Sequence, residues 1–204
     1  MRRSDREVTD PKQIRDIIDH CTCCRLGFWD GQEVYILPLN FGYEEADGKR
    51  VLYFHSAKEG RKIDLIAKAP RVGFELDTNY KLNEAETACG HSARFQSVIG
   101  TGTVRFVTEE DERRSALCSL MRHNTGRADW AFPSERLNAV AVYRLDVETL
   151  SAKEHAWAPS AAKQHRQPLA PVGPWLPVLL VGCFLQAKTR FTLPPEGTPP
   201  SASS

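Results

Sequence analysis

Apolar and polar positions alternate with two different periods along this chain, and the change from one to the other marks its most informative stretch. Val51-Leu52-Tyr53-Phe54 is β-branched or aromatic apart from Leu52, which suits a buried strand. The strand runs into His55-Ser56-Ala57-Lys58-Glu59-Gly60-Arg61-Lys62. Ser56 with Glu59 three residues later is a capping-box signature, so the spacing predicts a helix from Ala57. Ile63, Ile66 and Ala67 face inward on it, and Ala69-Pro70 stops it.

Before this junction, Thr9-Asp10-Pro11 opens a first helix with Asp10 or Thr9 as N-cap, and Ile14, Ile17, Ile18 and Cys21 form its buried stripe. Residues 25–29 and 33–41 are extended runs joined by Asp30-Gly31-Gln32, a hairpin signal because Asp-Gly supplies positive φ angles. Pro38 places the second run at an edge or a bulge. A further turn at Asp47-Gly48 links Asn40-Phe41-Gly42-Tyr43 to the strand at 51–54, so three antiparallel strands deliver the chain into the junction.

After it, Val72, Phe74 and Leu76 alternate with polar residues as a half-buried strand. Residues 79–94 read as a long, irregular polar connection. Strand pattern resumes over 95–107, where Gly100 and Gly102 predict a bend or space for a flat ligand. Thr108-Glu109-Glu110-Asp111 starts a helix with Ala116, Leu117, Leu120 and Met121 inward, ending about His123. A loop over 124–133 carries Trp130 and Phe132, and 138–150 is the last clear strand. The expectation is a mainly β fold with flanking helices: six or so mostly antiparallel strands in a closed or split β-barrel.

Composition divides the chain. Of 13 prolines, nine fall in the last 49 residues, whereas of 26 acidic residues only Glu196 does. Residues 1–155 therefore read as one folded domain and 156–204 as a proline-rich, poorly ordered tail. The tail's apolar run at 175–185 is too short to span a bilayer. A formal net charge of +1 calls for neither nucleic acid nor an anionic membrane. Six cysteines follow a polar, arginine-rich start without a secretory leader, which reads as reduced thiols in the cytoplasm. His20-Cys21-Thr22-Cys23-Cys24 lacks the spacing of a zinc pair and reads as a helix end with incidental thiols, so no metal site is expected.

At the junction, His55, the Ser56 hydroxyl, the N–H groups of the first helical turn and the Arg61-Lys62 pair can converge on one anion, a phosphate being the natural guest. A solvated, well-capped helix start accounts for the same residues equally well. No Ser-His-Asp or paired-carboxylate machinery stands out.

Four stretches, Arg2-Arg3-Ser4-Asp5-Arg6-Glu7-Val8, Pro38-Leu39-Asn40-Phe41-Gly42-Tyr43, residues 53–64 and Ser97-Val98-Ile99-Gly100-Thr101-Gly102, closely resemble the nitroimidazole-resistance branch of the pyridoxamine 5′-phosphate oxidase-like proteins. The resemblance covers about residues 1–155. It implies a split β-barrel homodimer with FMN between the subunits. Arg61 and Lys62 would hold the FMN phosphate, and Ser56 and Ala57 would line the path to the ring. Asn40 and Phe41 would lie beside the isoalloxazine, with Ser97 and Val98 approaching from a barrel strand. His55 becomes the first catalytic candidate, and Trp130 a second side chain to consider for orienting substrate. Related proteins usually end near Leu150, so the tail has no counterpart.

FMN joins a phosphate to a flat ring and itself carries the electron transfer, which matches an anion cradle beside an apolar slot. The expected function is an FMN-dependent oxidoreductase that reduces nitroaromatic compounds such as 5-nitroimidazoles, with a nicotinamide or another electron donor. The alternatives are a non-catalytic flavin-, haem- or deazaflavin-binding protein of the same fold, or a pyridoxamine 5′-phosphate oxidase, which needs a second phosphate site.

Overall fold

A computed structural model describes residues 4–156. The proline-rich tail, including its apolar run, lies outside the described residues. The chain enters through β1 (Glu7–Val8) and α1 (Pro11–His20), where Asp10 is the N-cap and accepts the Lys12 N–H at 3.2 Å. Ile14, Ile17 and Ile18 are buried at the expected helical spacing. β2 (Cys24–Trp29) and β3 (Val34–Leu39) form the expected hairpin, with Gly31 at φ 102° and the Asp30 carboxylate accepting the Gln32 and Glu33 N–H groups at 2.9 Å each. β4 (Gly42–Ala46) and β5 (Lys49–Ser56) follow, turned by Asp47 and Gly48, both at positive φ.

α2 (Arg61–Lys68), β6 (Arg71–Asn83), β7 (Ser92–Phe106), α3 (Glu110–Thr125), α4 (Ser134–Ala139) and β8 (Ala141–His155) complete the described chain. The strands make one antiparallel sheet of eight, ordered β3-β2-β6-β7-β8-β5-β4 with β1 added on β8. The architecture is the expected mostly antiparallel sheet with flanking helices. Its end strands β3 and β4 do not pair, so the sheet is not closed, as in a split barrel. Pro38 lies on the edge strand β3, where its missing N–H costs no ladder bond.

β5 explains why residues 51–54 are all apolar. Leu52 and Phe54 enter the barrel cluster with Leu26, Phe28, Phe41, Leu76, Val98 and Tyr143. Val51 and Tyr53, on the opposite face, pack with Ala116, Leu117 and Leu120 of α3. The strand is buried from both sides.

Three expectations need correction. Residues 79–94 are not an irregular connection: β6 and β7 continue as a paired ribbon to Asn83 and Ser92, joined through a short turn at Ala88–Gly90. Ladder hydrogen bonds use the backbone, so a ribbon wet on both faces leaves no apolar alternation to read. The last strand is displaced, beginning at Ala141 after the short α4 and running to His155. The strands number eight rather than six or so, because the sequence pattern passes over the two-residue β1 and merges β3 with β4. At Gly102 the ladder with β8 shifts register, and a Cβ there would meet the Asp146 carbonyl oxygen at 2.2 Å. Of the two uses considered for these glycines, the register shift at Gly102 supplies the bend.

Across the outer face, Trp29 stands opposite Val34, Gly27 lies between Ile36 and Gly73, and Glu75 pairs with Ile99. Trp29, Val34 and Ile36 are 55%, 62% and 60% exposed, an apolar strip along the edge of the sheet.

Candidate functional site

The helix after β5 starts four residues later than the capping box predicts. Ser56 remains in the strand and donates its hydroxyl to the Ala57 carbonyl at 2.9 Å. Gly60 is the N-cap, at φ 120°, and supplies no side-chain cap. A backbone conformation open to glycine outcompetes the Ser/Glu signal. The consequence is chemical: Arg61 and Lys62 occupy the first two helical positions, at the positive end of the helix dipole. Two cations there oppose the dipole, an arrangement that an anion relieves.

His55 stands immediately before this turn, at the surface. Desolvation against the protein, and second the Lys62 ammonium, hold its pKa below the ordinary histidine value. Among the described residues it is the one histidine without a hydrogen bond; His20, His91, His123 and His155 each use a ring nitrogen. Beneath it, the Tyr143 ring stacks on Phe54 at 5.6 Å. Its buried hydroxyl, beside Ser56, lacks a well-formed hydrogen bond, and burial pushes its pKa up to about 12.

Arg61 has partners that the sequence does not suggest. Its Nη2 donates to Asp30 at 2.5 Å and to Glu33 at 2.7 Å, and its guanidinium lies 4.4 Å from the centre of the Tyr35 ring. Two N–H groups of the turn and the guanidinium together hold the Asp30 carboxyl down at about 2. Lys62 forms no ion pair among the described residues.

The remaining expected residues are placed by register. Gly42 pairs with Tyr53, so Phe41 and Asn40 run on beside Phe54 and His55. Cys24 pairs with both Leu39 and Leu76, so the next row carries Asn40, Cys23, Asp77 and Ser97 across the sheet. At about 4.8 Å per strand, Asn40 and Ser97 lie roughly 14 Å apart along that row. His55, Ser56, Ala57, Arg61 and Lys62 follow one another along the β5–α2 junction, from which Arg61 reaches Asp30 and Glu33 at the tip of the β2–β3 hairpin, whereas Asn40 and Ser97 lie on the band at the hairpin's other end. The Phe41 and Val98 side chains are fully buried. The Phe41 ring packs 4.2 Å from the His123 ring, and its carbonyl accepts from Asn124 Nδ2 at 3.1 Å.

Past Ser97 the band opens into a cavity of about 430 Å³ lined by Tyr80, Lys81, Arg94, Phe95, Gln96 and His155. Trp130, by contrast, is locally committed: its indole N–H donates to the Arg127 carbonyl at 3.1 Å and Arg127 covers its face at 4.7 Å. Cys21 and Cys24 are buried, with pKa values raised by that burial. Among the described residues no three His, Cys, Asp or Glu side chains are grouped to hold a metal. No helix among them is long and apolar enough to cross a membrane.

The sequence pattern of the family described as pyridoxamine 5′-phosphate oxidase matches residues 10–154. A solved structure from Bacteroides thetaiotaomicron, provisionally assigned as a 5-nitroimidazole antibiotic resistance protein, is 30% identical. That match covers 72% of this chain and 86% of the other, with a TM-score of 0.63. The FAD and heme binding protein from Mycobacterium smegmatis shares the fold at 18% identity and a TM-score of 0.65, with 77% of each chain covered. The flavocytochrome Anf3 from Azotobacter vinelandii does so at 15% identity and a TM-score of 0.64, over 95% of this chain and 90% of that one. No curated protein matches the chain in sequence.

Proposed function

The chain belongs to the pyridoxamine 5′-phosphate oxidase family, and from that premise we propose that it is an FMN-dependent oxidoreductase that reduces nitroaromatic compounds such as 5-nitroimidazoles. The observation that carries this reading is the start of α2, where Arg61 and Lys62 share the positive end of a helix lacking a side-chain cap, directly after His55. That end suits a phosphate, and the band through Asn40 to Ser97 suits a flat ring lying along the backbone. Lys62, the first-turn N–H groups and Arg61 hold the phosphate, Ser56 and Ala57 line the path from it, and the backbone at Phe41 and Val98 borders the ring.

Bound FMN would supply the electron transfer between a nicotinamide or other donor and the nitro group. The first reduction, to the nitroso level, consumes two electrons and two protons and releases one water; the amine lies two further two-electron steps on. His55 is the candidate proton carrier, since its imidazole has no competing hydrogen bond among the described residues, and burial, then Lys62, makes its protonated form a stronger acid. The exposed strip at Trp29, Val34 and Ile36 supports a homodimer in which a second copy covers this face and walls in the flavin. Thiols such as Cys21 and Cys24, free in the fold, suit the reducing cytoplasm.

The test is the visible spectrum of the purified protein with the mass of its released chromophore, followed by nitroreduction assays. Flavin bands and an FMN mass are expected, and Arg61→Ala/Lys62→Ala is expected to lose flavin and turnover together. Retention of both by that variant refutes the reading. A Soret band, or a flavin bound without turnover on any reductant, replaces it with the binding-protein alternative.

A further inference from the structure

Arg61 cannot serve fully in two places. Both hydrogens of its Nη2 are used, one toward Asp30 and one toward Glu33. With two carboxylates on one guanidinium, this corner of the cradle carries a net negative charge, so an incoming phosphate meets repulsion before it meets Arg61. The Asp30 carboxylate is prearranged: its other oxygen is fixed by the Gln32 and Glu33 N–H groups of the turn, which form without Arg61. Glu33 is different: its side chain is 66% exposed and its carboxylate has no other bond among the described residues, so it releases readily to water.

We propose that Asp30 and Glu33 set the ligand discrimination of the cradle by competing with a phosphate for Arg61. In the unliganded chain the hairpin carboxylates hold the guanidinium. A phosphate-bearing ligand must compete with two carboxylates for its charge, and a ring without phosphate has no use for it. The two residues thus lower affinity selectively for phosphate-bearing ligands and keep the cation from being claimed by any passing anion. The inference rests on the flavin reading above and adds to it which residues determine how strongly the phosphate counts.

The experiment compares FMN with riboflavin, which lacks the phosphate, by fluorescence titration of the full chain freed of any chromophore. Asp30→Asn/Glu33→Gln keeps the side-chain oxygen that organises the turn while removing both charges. It is expected to bind FMN about tenfold more tightly, with riboflavin affinity unchanged. Glu33→Gln alone, which leaves the turn untouched, should move FMN in the same direction by a smaller factor. Adding Arg61→Ala to the double variant should abolish its gain.

If wild type binds FMN and the neutralised variants bind it equally or more weakly, the competition is overturned while the flavin reading stands. If FMN and riboflavin affinities rise together, the carboxylates act on the ring rather than on Arg61, and the inference falls. If wild type and variants take up neither FMN nor inorganic phosphate, the flavin reading fails and takes the competition with it.

Discussion

Gly42 follows Phe41 where the candidate site meets the core, and replacing it with alanine tests how the site is braced. A Cβ on Gly42 would stand 2.5 Å from the Leu120 backbone nitrogen, 2.7 Å from the Ser119 carbonyl carbon and 2.8 Å from the Ser119 hydroxyl. Ordinary contact begins near 3.4 Å, so α3 must retreat from β4 by about 0.9 Å. A gap of 0.5–1 Å already forfeits roughly a quarter to a half of each dispersion contact, and Leu117 and Leu120 form the wall against Tyr53. Overpacking of this kind costs about 2–3 kcal/mol. For a domain of this size that lowers the melting temperature by roughly 4–12 °C. The assay is thermal unfolding followed by circular dichroism, with FMN affinity measured below the transition. Affinity should fall as well, because the Phe41 carbonyl is tied to Asn124 and its ring to His123, both on the helix that moves. Ser119→Ala removes only the hydroxyl contact and leaves the two backbone contacts, so adding it should restore less than half of the loss. Full rescue by Ser119→Ala, or a melting temperature for Gly42→Ala within about a degree of wild type, refutes the reasoning.

The imidazole of His55 should titrate below the ordinary histidine value of 6.5 in an NMR pH series, and Lys62→Gln should move its midpoint upward; a midpoint unmoved by that change removes Lys62 as a cause. Because the folded form of His55 holds its proton less tightly than the unfolded chain, its contribution to stability is present above 6.5 and lost as pH falls below that value, which urea midpoints at graded pH will show. Ile36→Glu, in the exposed apolar strip, should convert the proposed homodimer to monomer in sedimentation runs with little change in the helical signal; a variant that stays dimeric sends the interface elsewhere. A thiol reagent at neutral pH should label exposed Cys89 first and reach Cys21 and Cys24 only on unfolding, and equal labelling rates would contradict their burial.

What the sequence disclosed and what it hid divide along a physical line. Signals that act within a few residues were legible: the Pro11 start of α1, the two Asp-Gly turns, the apolar run of β5 and the cations that follow it. Where two local signals disagreed, the weaker one misled. Ser56 and Glu59 look like a cap, but Gly60, the residue after Glu59, admits a φ that no capping box requires, and the helix begins there. The β6–β7 ribbon was invisible for another reason: exposed residues such as Tyr80 and Leu82 carry no periodicity when neither face is covered. The partners of Arg61 lie 31 and 28 residues away in a hairpin, and no spacing rule connects them.

The four-residue displacement of α2 is also what gives the site its character. Had the helix begun at Ala57, Arg61 and Lys62 would sit in its second turn, where the dipole has largely faded and two solvated cations cost little. Placed at the first two positions, they are held by the fold in an electrostatically unfavourable arrangement, and Asp30 and Glu33 offset only the Arg61 half of it. Lys62 forms no ion pair among the described residues, and it stands beside an imidazole whose proton is loosened first by burial and then by this ammonium. A fold that needed only a helix here could place neutral residues at those positions, so the positive charge left at Lys62 is the feature on which the proposed anionic ligand rests.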